Sequence, residues 1–251
     1  MTLGLLDLPT PLLAWLDQAL AGLLPPAGRI VVWGLVAAAV SMGLYAILSP
    51  QHRLRAVRER AAEARRALDR YEGSFAGARP LMGAMFATSL QQLALVLVPA
   101  VVASLPVLFL LVWLHGAFAY EVPARAEAVD LRIEPQGYEA TVEKSDAAVS
   151  VVPEIEAPPS LVVHDGTGRV IEERALTVPV TSLHKEQWWN ALIGNPLGYL
   201  PEDSPLEWIE LDLPRKEVLP VGPWWLRTWE FVFFTTLVAA SLVIKLWFRL
   251  V

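Results

Sequence analysis

The chain has 251 residues, 55% hydrophobic and 18% charged, and its mean hydropathy of +0.44 argues against an ordinary soluble domain and for a membrane protein. It contains no cysteine, which excludes a disulfide scaffold, a thiolate zinc site, an iron–sulfur cluster and a cysteine nucleophile. The net charge of −6 is unevenly placed along the chain, and that placement is more informative than its sum.

Residues 1–29 lack a basic start, carry Asp7 and Asp17, and are interrupted by Pro9, Pro11, Pro25 and Pro26, so they do not read as a cleaved secretion signal. Leu12, Leu13, Leu16, Leu20, Leu23 and Leu24 recur at helical spacing around Asp17 and Gln18. That pattern predicts an amphipathic lead-in, either lying on the outer membrane interface or packed against the helices that follow. Residues 30–49 contain the uncharged run IVVWGLVAAAVSMGLYAIL, close to the roughly 20 residues that a helix needs to cross a hydrocarbon core, and form the first expected span.

Residues 50–79 are different in kind. Arg53, Arg55, Arg58, Arg60, Arg65, Arg66, Arg70 and Arg79 stand against Glu59, Glu63, Asp69 and Glu72, a basic excess that places the segment in the cytosol by the positive-inside rule. Leu54, Val57, Ala61, Ala64, Leu68 and Tyr71 follow a 3,4 spacing, which predicts a helical arm with a short coiled-coil seam. Alanine at two seam positions makes that burial shallow, suiting a mobile arm. The arginines from Arg53 to Arg70 read equally as a solvated face that sets topology and as an electrostatic surface for anionic headgroups, ribosomal RNA or a nascent chain. No nucleic-acid recognition fold accompanies them, so a specific nucleic-acid ligand is not expected.

From Pro80 to Tyr120 there is no Asp, Glu, Lys or Arg, about twice the length of one span. Either a Met-rich amphipathic interfacial helix over 80–92 feeds a second span over 93–119, or Pro99 turns a two-helix hairpin. The first is preferred because it keeps Gln91 and Gln92 near the headgroups, where unpaired amides cost less. Pro99 and Pro106 would then kink the second span. Met82, Met85 and Phe86 share one side of the 80–92 segment, an adaptable face for varied apolar partners or ordinary core packing.

Residues 120–226 hold nineteen acids against eight Lys or Arg and alternate in polarity. They predict a separate extracytoplasmic β-rich domain, a small sandwich or barrel-like fold, with strands in LRIEP, YEATVEK, AVSVV, SLVVHD, RVIEERALTV and LEWIELDL. Asp165 to Gly168 reads as a hairpin turn. HKEQWWNALIG reads as a short helix with Trp188 and Trp189 either in the core or facing the bilayer. Residues 227–251 supply the third span and a cytosolic tail, with Lys245 snorkelling to the inner headgroups. The histidines, His52, His115, His164 and His184, form no metal-binding pair, and no nucleophile-elbow, phosphate-loop or dinucleotide pattern occurs; neither an enzyme nor a metal or cofactor is expected.

The fold class expected is thus a three-span helical membrane core with a basic cytosolic arm and an inserted all-β domain. In its order of segments, this chain resembles the YidC/Oxa/Alb membrane insertase superfamily. It is nearest the three-span branch, which includes archaeal YidC-like proteins and the third subunit of the ER membrane protein complex. The resemblance is carried by LDLPTPLLAWLDQALAGLLPPAGRIVVWGLVAAAVSMGLYAILSPQHRLRAVRERAAEARRAL at the start and GPWWLRTWEFVFFTTLVAASLVIKLWFRL at the end, together with the Met-rich segment and the second span. Two features depart from the family: about 100 residues are inserted before the last span, and no groove arginine stands in the first. The resemblance implies ATP-independent insertion of client membrane proteins through a polar groove open to cytosol and lipid. The groove candidates are Ser41, Tyr45, Thr88, Ser89, Gln91, Gln92, Ser104, Thr235, Thr236 and Ser241, with the apolar client face at Met82, Met85 and Phe86. Each groove candidate also reads as a hydrogen-bonded packing residue, and for the Ser and Thr members packing is the commoner role.

The expected partners are therefore the lipid bilayer, client membrane proteins, and a ribosome or nascent chain at the arm. The rival reading is a non-enzymatic scaffold whose β domain binds a protein partner while the spans anchor it. The arginine-heavy, lysine-poor usage points to a prokaryotic inner (plasma) membrane. The N-terminus and 120–226 are expected outside, with 50–79 and the C-terminus in the cytoplasm.

Overall fold

The structure, a computed structural model, describes residues 3–49, 51–122, 129–143 and 158–248, with the side chains of 51–55 and 76 outside the description. Five α-helices and six strands follow in the order α1 (Thr10–Ala21), α2 (Pro26–Leu48), α3 (Gln51–Asp69), α4 (Phe75–Phe118), β1 (Leu131–Glu134), β2 (Glu139–Glu143), β3 (Ser160–His164), β4 (Val170–Ala175), β5 (Ser182–His184), β6 (Trp208–Leu211) and α5 (Trp229–Phe248). The chain divides into two compact units, Met1–Val31 with Phe109–Phe233, and Val32–Leu108 with Phe234–Val251. α2, α4 and α5 each contribute to both.

Those three helices are long and apolar enough to cross a membrane. α2 begins at Pro26 rather than at residue 30, because proline suits a first helical turn where its missing N–H is not needed. Arg29 is therefore a residue of the helix and not a flank. α4 runs unbroken for 44 residues through Pro80, Pro99 and Pro106. No break separates 80–92 from 93–118, and Pro99 is not a hairpin turn. At about 1.5 Å per residue such a helix is roughly twice as long as a hydrocarbon core is thick. Pro99 and Pro106 leave the Leu95 and Val102 carbonyls without their usual i+4 donors.

Among the described residues, the β region has two three-stranded antiparallel sheets, β1-β6-β5 and β2-β3-β4. Alternation explains the first sheet: Ile209 and Leu211 of β6 are buried and Trp208 and Glu210 exposed. In β3 four consecutive residues, Ser160 to Val163, are buried, as a central strand covered on both faces requires. One apolar cluster joins the sheets through Val142, Leu161, Val163, Leu183, Ile209 and Leu211. The strands read from alternation are present where described; AVSVV, over 148–152, lies outside the described residues. β5 was not legible, being three residues long and containing His184.

The β3–β4 turn is the hairpin expected at Asp165. Its carboxylate accepts the Thr167 hydroxyl at 2.6 Å and the N–H groups of Thr167 and Arg169 at 2.8 and 2.9 Å, while Gly168 takes φ +83°, a conformation that glycine adopts without Cβ strain. The Thr167 hydroxyl, then the backbone N–H groups of Arg169 and Thr167, hold the Asp165 carboxyl below the usual carboxylate range. Stability from this turn is therefore present above the ordinary carboxylate pKa and is lost as pH falls through the lowered one.

In place of the helix expected in HKEQWWNALIG there is a single 3-10 turn, Trp188–Ala191. Asn190 sets it, accepting the Gln187 N–H at 2.6 Å and donating to the Ile193 carbonyl at 3.3 Å, so its amide closes the turn on both sides and competes with helix propagation.

The β region joins the helices through a narrow stem. Tyr120 pairs antiparallel with Arg215, the Glu121 N–H donates to Pro214, and the Lys216 N–H donates to Ala119, both at 3.0 Å. Entry and exit of the inserted domain thus stand side by side.

Candidate functional site

The candidate groove residues, Ser41 and Tyr45 on α2, Thr88, Ser89, Gln91, Gln92 and Ser104 on α4, and Thr235, Thr236 and Ser241 on α5, all belong to the second unit. Within it, several hydroxyls are satisfied locally. Ser41 donates to the Ala37 carbonyl at 2.7 Å, Thr88 to Ala84 at 2.8 Å and Ser104 to Val101 at 2.8 Å. Such back-bonding inside a helix lets a hydroxyl sit in an apolar setting at little cost. Ser89, Gln91, Ser104 and Thr235 are exposed, whereas Ser41, Tyr45, Thr88, Gln92, Thr236 and Ser241 are partly buried. Helical geometry puts Thr88, Gln91 and Gln92 on one side of α4, since they are three and four residues apart.

The apolar face on the same helix is open. Phe86 is 70% exposed, Met82 is exposed and Met85 half-buried. With Leu90 and Leu93, also exposed, they form a stripe on α4 that nothing in the described unit covers.

In α3 the burial pattern follows the 3,4 seam. Val57 is 1% exposed, and Ala61, Ala64 and Leu68 are partly buried. Arg58, Arg60, Arg65, Arg66 and Arg70 are exposed, which leaves their charges accessible; the side chains of Arg53 and Arg55 lie outside the described residues. Gly73 and Gly77 then make room for the Tyr71 ring, whose hydroxyl occupies the space that a side chain at either glycine would need.

Sequence reasoning missed a polar and aromatic cluster in the first unit. Asp17 of α1 accepts a hydrogen bond from the Arg29 guanidinium of α2 at 2.6 Å. That guanidinium lies 5.0 Å from the centre of the Phe118 ring, with the Lys216 ammonium at 5.6 Å, so two cations use one aromatic ring. His115 packs edge-on against Tyr120 and Trp229. A cavity of about 40 Å³ beside the stem is lined by Tyr120, Arg215, Lys216, Trp229 and Glu230. Trp229 Nε1 and Glu230 Oε2 are buried without a hydrogen-bond partner among the described residues, and a space of this size has room for water to serve them. Arg29 and Asp17 looked unrelated because a turn at 22–25 separates them; the only signal was an acid inside a leucine-rich helix.

His184 and His164 are structural in their contacts, and the side chain of His52 lies outside the described residues. His184 stacks on Trp208 at 5.1 Å and meets Trp189 and Tyr199, and its Nδ1 lies 2.7 Å from the Lys185 carbonyl. His164 faces the Gly168 carbonyl.

Three apolar helices of spanning length, with a small two-sheet β region inserted between the second and third, define the class as a helical integral membrane protein carrying a β domain. No family model, curated protein or solved structure matches the chain.

Proposed function

We propose that the protein is an ATP-independent membrane insertase or chaperone, which moves client helices into the bilayer. The observation that carries this reading is the succession of α3 and α4: an arm with exposed arginines on a shallow seam leads directly into an exposed Met82, Phe86 and Leu90 stripe flanked by Gln91. The arm attracts an anionic surface or a nascent chain, and the methionine-containing stripe adapts to varied apolar sequences. A neighbouring amide face lowers the cost of bringing a client's polar end into the membrane, where one charged residue costs about 2.5–3.5 kcal/mol at the centre of a helix. The arginine excess of the arm supports an orientation with 50–79 and the C-terminus in the cytoplasm and the N-terminus and 120–226 outside, and the arginine-heavy, lysine-poor usage supports a prokaryotic inner membrane.

Reconstitution into liposomes with a short-tailed single-span client tests the proposal. Insertion should exceed that into protein-free liposomes, and photo-cross-linkers at Met85 or Gln91 should capture the client. Insertion equal to that of empty liposomes, with no capture, would reject it.

A second reading, a membrane-anchored scaffold, is favoured by one observation: a polar hollow of about 310 Å³ on the β domain, lined by Tyr120, Asp130, Arg132, Thr181, Glu210 and Asp212. A protein partner carrying both charge signs would suit it.

A further inference from the structure

Two exposed apolar segments far apart in the chain are joined by hydrogen bonds within the first unit. The Asp7 carboxylate accepts the N–H of Gly4 at 3.0 Å and of Gly194 at 2.6 Å, and the Leu6 N–H donates to the Leu192 carbonyl at 2.9 Å. Gly4 lies at this seam: a Cβ there would stand 2.5 Å from the Gly194 nitrogen and 2.6 Å from the Leu192 carbonyl group, so only glycine permits the approach. Around the seam, Leu5, Leu8, Leu12 and Trp15 of the lead-in, Trp188 of the 3-10 turn and Leu192 just after it are all exposed, Trp188 by 83%. Trp189, less exposed at 37%, packs its ring 5.0 Å from that of buried His184, which fixes the turn to the sheet beside the outward-pointing Trp188.

This ridge carries no outward charge. Asp7 is the one charged residue in 3–16 and there is none in 188–195, and Asp7 is turned into the seam. The polarity of α1 is also the reverse of that of a helix on a water-soluble domain. Asp17 is 8% exposed and paired with Arg29, while Leu12, Trp15 and Leu16 face outward. Only residues 22–25 separate α1 from the apolar α2, so the ridge adjoins the end of a span, where tryptophan is enriched at membrane–water interfaces.

We propose that this ridge is a membrane-seating surface. The lead-in and the 188–193 turn are immersed together in the interfacial layer of the leaflet nearest the β domain, which is thereby held on lipid at a second point besides its stem. Lipid is the occupant because the surface is continuous with a span and rich in leucine and tryptophan, the composition of an interfacial membrane anchor. The proposal does not depend on the insertase reading.

Nitroxide labels on the full-length protein test it, since the chain has no cysteine to remove. Leu12→Cys, Trp188→Cys and Leu192→Cys are compared with Thr167→Cys at the exposed β3–β4 turn, in phosphatidylcholine–phosphatidylglycerol vesicles. At the three ridge positions collisions with dioxygen should exceed those with a nickel chelate, at a depth of about 5–10 Å, and at Thr167 the order should reverse. Should Trp188→Cys fail to fold, Leu192→Cys reads the same turn. Water-like collision rates at 188 and 192 would overturn the proposal. So would shielding from both reagents, which marks cover by a second copy or another protein. Gly4→Val, which breaks the seam, should return the label at 192 to water; an unchanged depth there would refute joint seating.

Discussion

Asp17 lies in an apolar helix, and the reason it is tolerated is Arg29. Without Asp17 the part-buried Arg29 guanidinium would lose the carboxylate 2.6 Å away, and breaking a buried pair costs about 3–5 kcal/mol when desolvation is complete. Residual exposure here reduces that to about 2 kcal/mol. Asp17→Ala is expected to lower stability by that amount, read as earlier thermal unfolding in detergent. The double change Asp17→Leu with Arg29→Leu should recover most of the loss, because removing both charges removes the burial penalty too. Equal losses in the single and double variants would show that the pair is not coupled. The Phe118 ring supports the same arrangement from the other side, by offering its face to Arg29 and to Lys216.

Among the elements, α3 and α4 are the most informative pair. The seam of α3 was legible from spacing alone, because a 3,4 repeat of apolar residues has few other causes, and Val57 is its most deeply buried described member. Val57→Ala removes two methyl groups, about 1.5 kcal/mol of burial. Local opening of the arm should then become roughly tenfold more frequent, since about 1.4 kcal/mol corresponds to a factor of ten. Limited trypsin digestion should report this as faster cleavage after Arg58 and Arg65. Ala62→Ser on the exposed face is the control and should leave the rate unchanged. The continuity of α4 was not legible: the uncharged run read by preference as an interfacial helix over 80–92 followed by a span kinked at Pro99 and Pro106, with a Pro99 hairpin as the alternative. Its backbone stays helical because proline still adopts helical φ and removes only one donor per position.

For the whole molecule, the stem is the feature that makes the β domain separable. Glu121 and Pro214 stand within one hydrogen bond of each other, so replacing 122–213 by Asn-Gly closes a hairpin without displacing Tyr120, Arg215 or Lys216. The excised chain is expected to enter membranes and to retain client insertion in liposomes if the helices carry the activity. If instead the helices only anchor a β domain that binds a partner, insertion by the full chain should be no better than in empty liposomes, and recovery of the partner should vanish with the excision. Measuring both on the full and excised chains separates the two readings.

Hydrophobic run length, charge asymmetry and period-two alternation are local properties of a chain. They determined the three helices of spanning length, the arginine arm and the described strands other than the three-residue β5. A bare sequence has no term for contacts between distant residues. For that reason only the tertiary structure decided that Asp17 meets Arg29, that α4 is one helix, and that Asp7 joins the lead-in to the turn carrying Trp188. Each of these depends on which polar group finds its partner across a turn or across the chain. The cost of leaving such a group unpaired in apolar surroundings selects the arrangement.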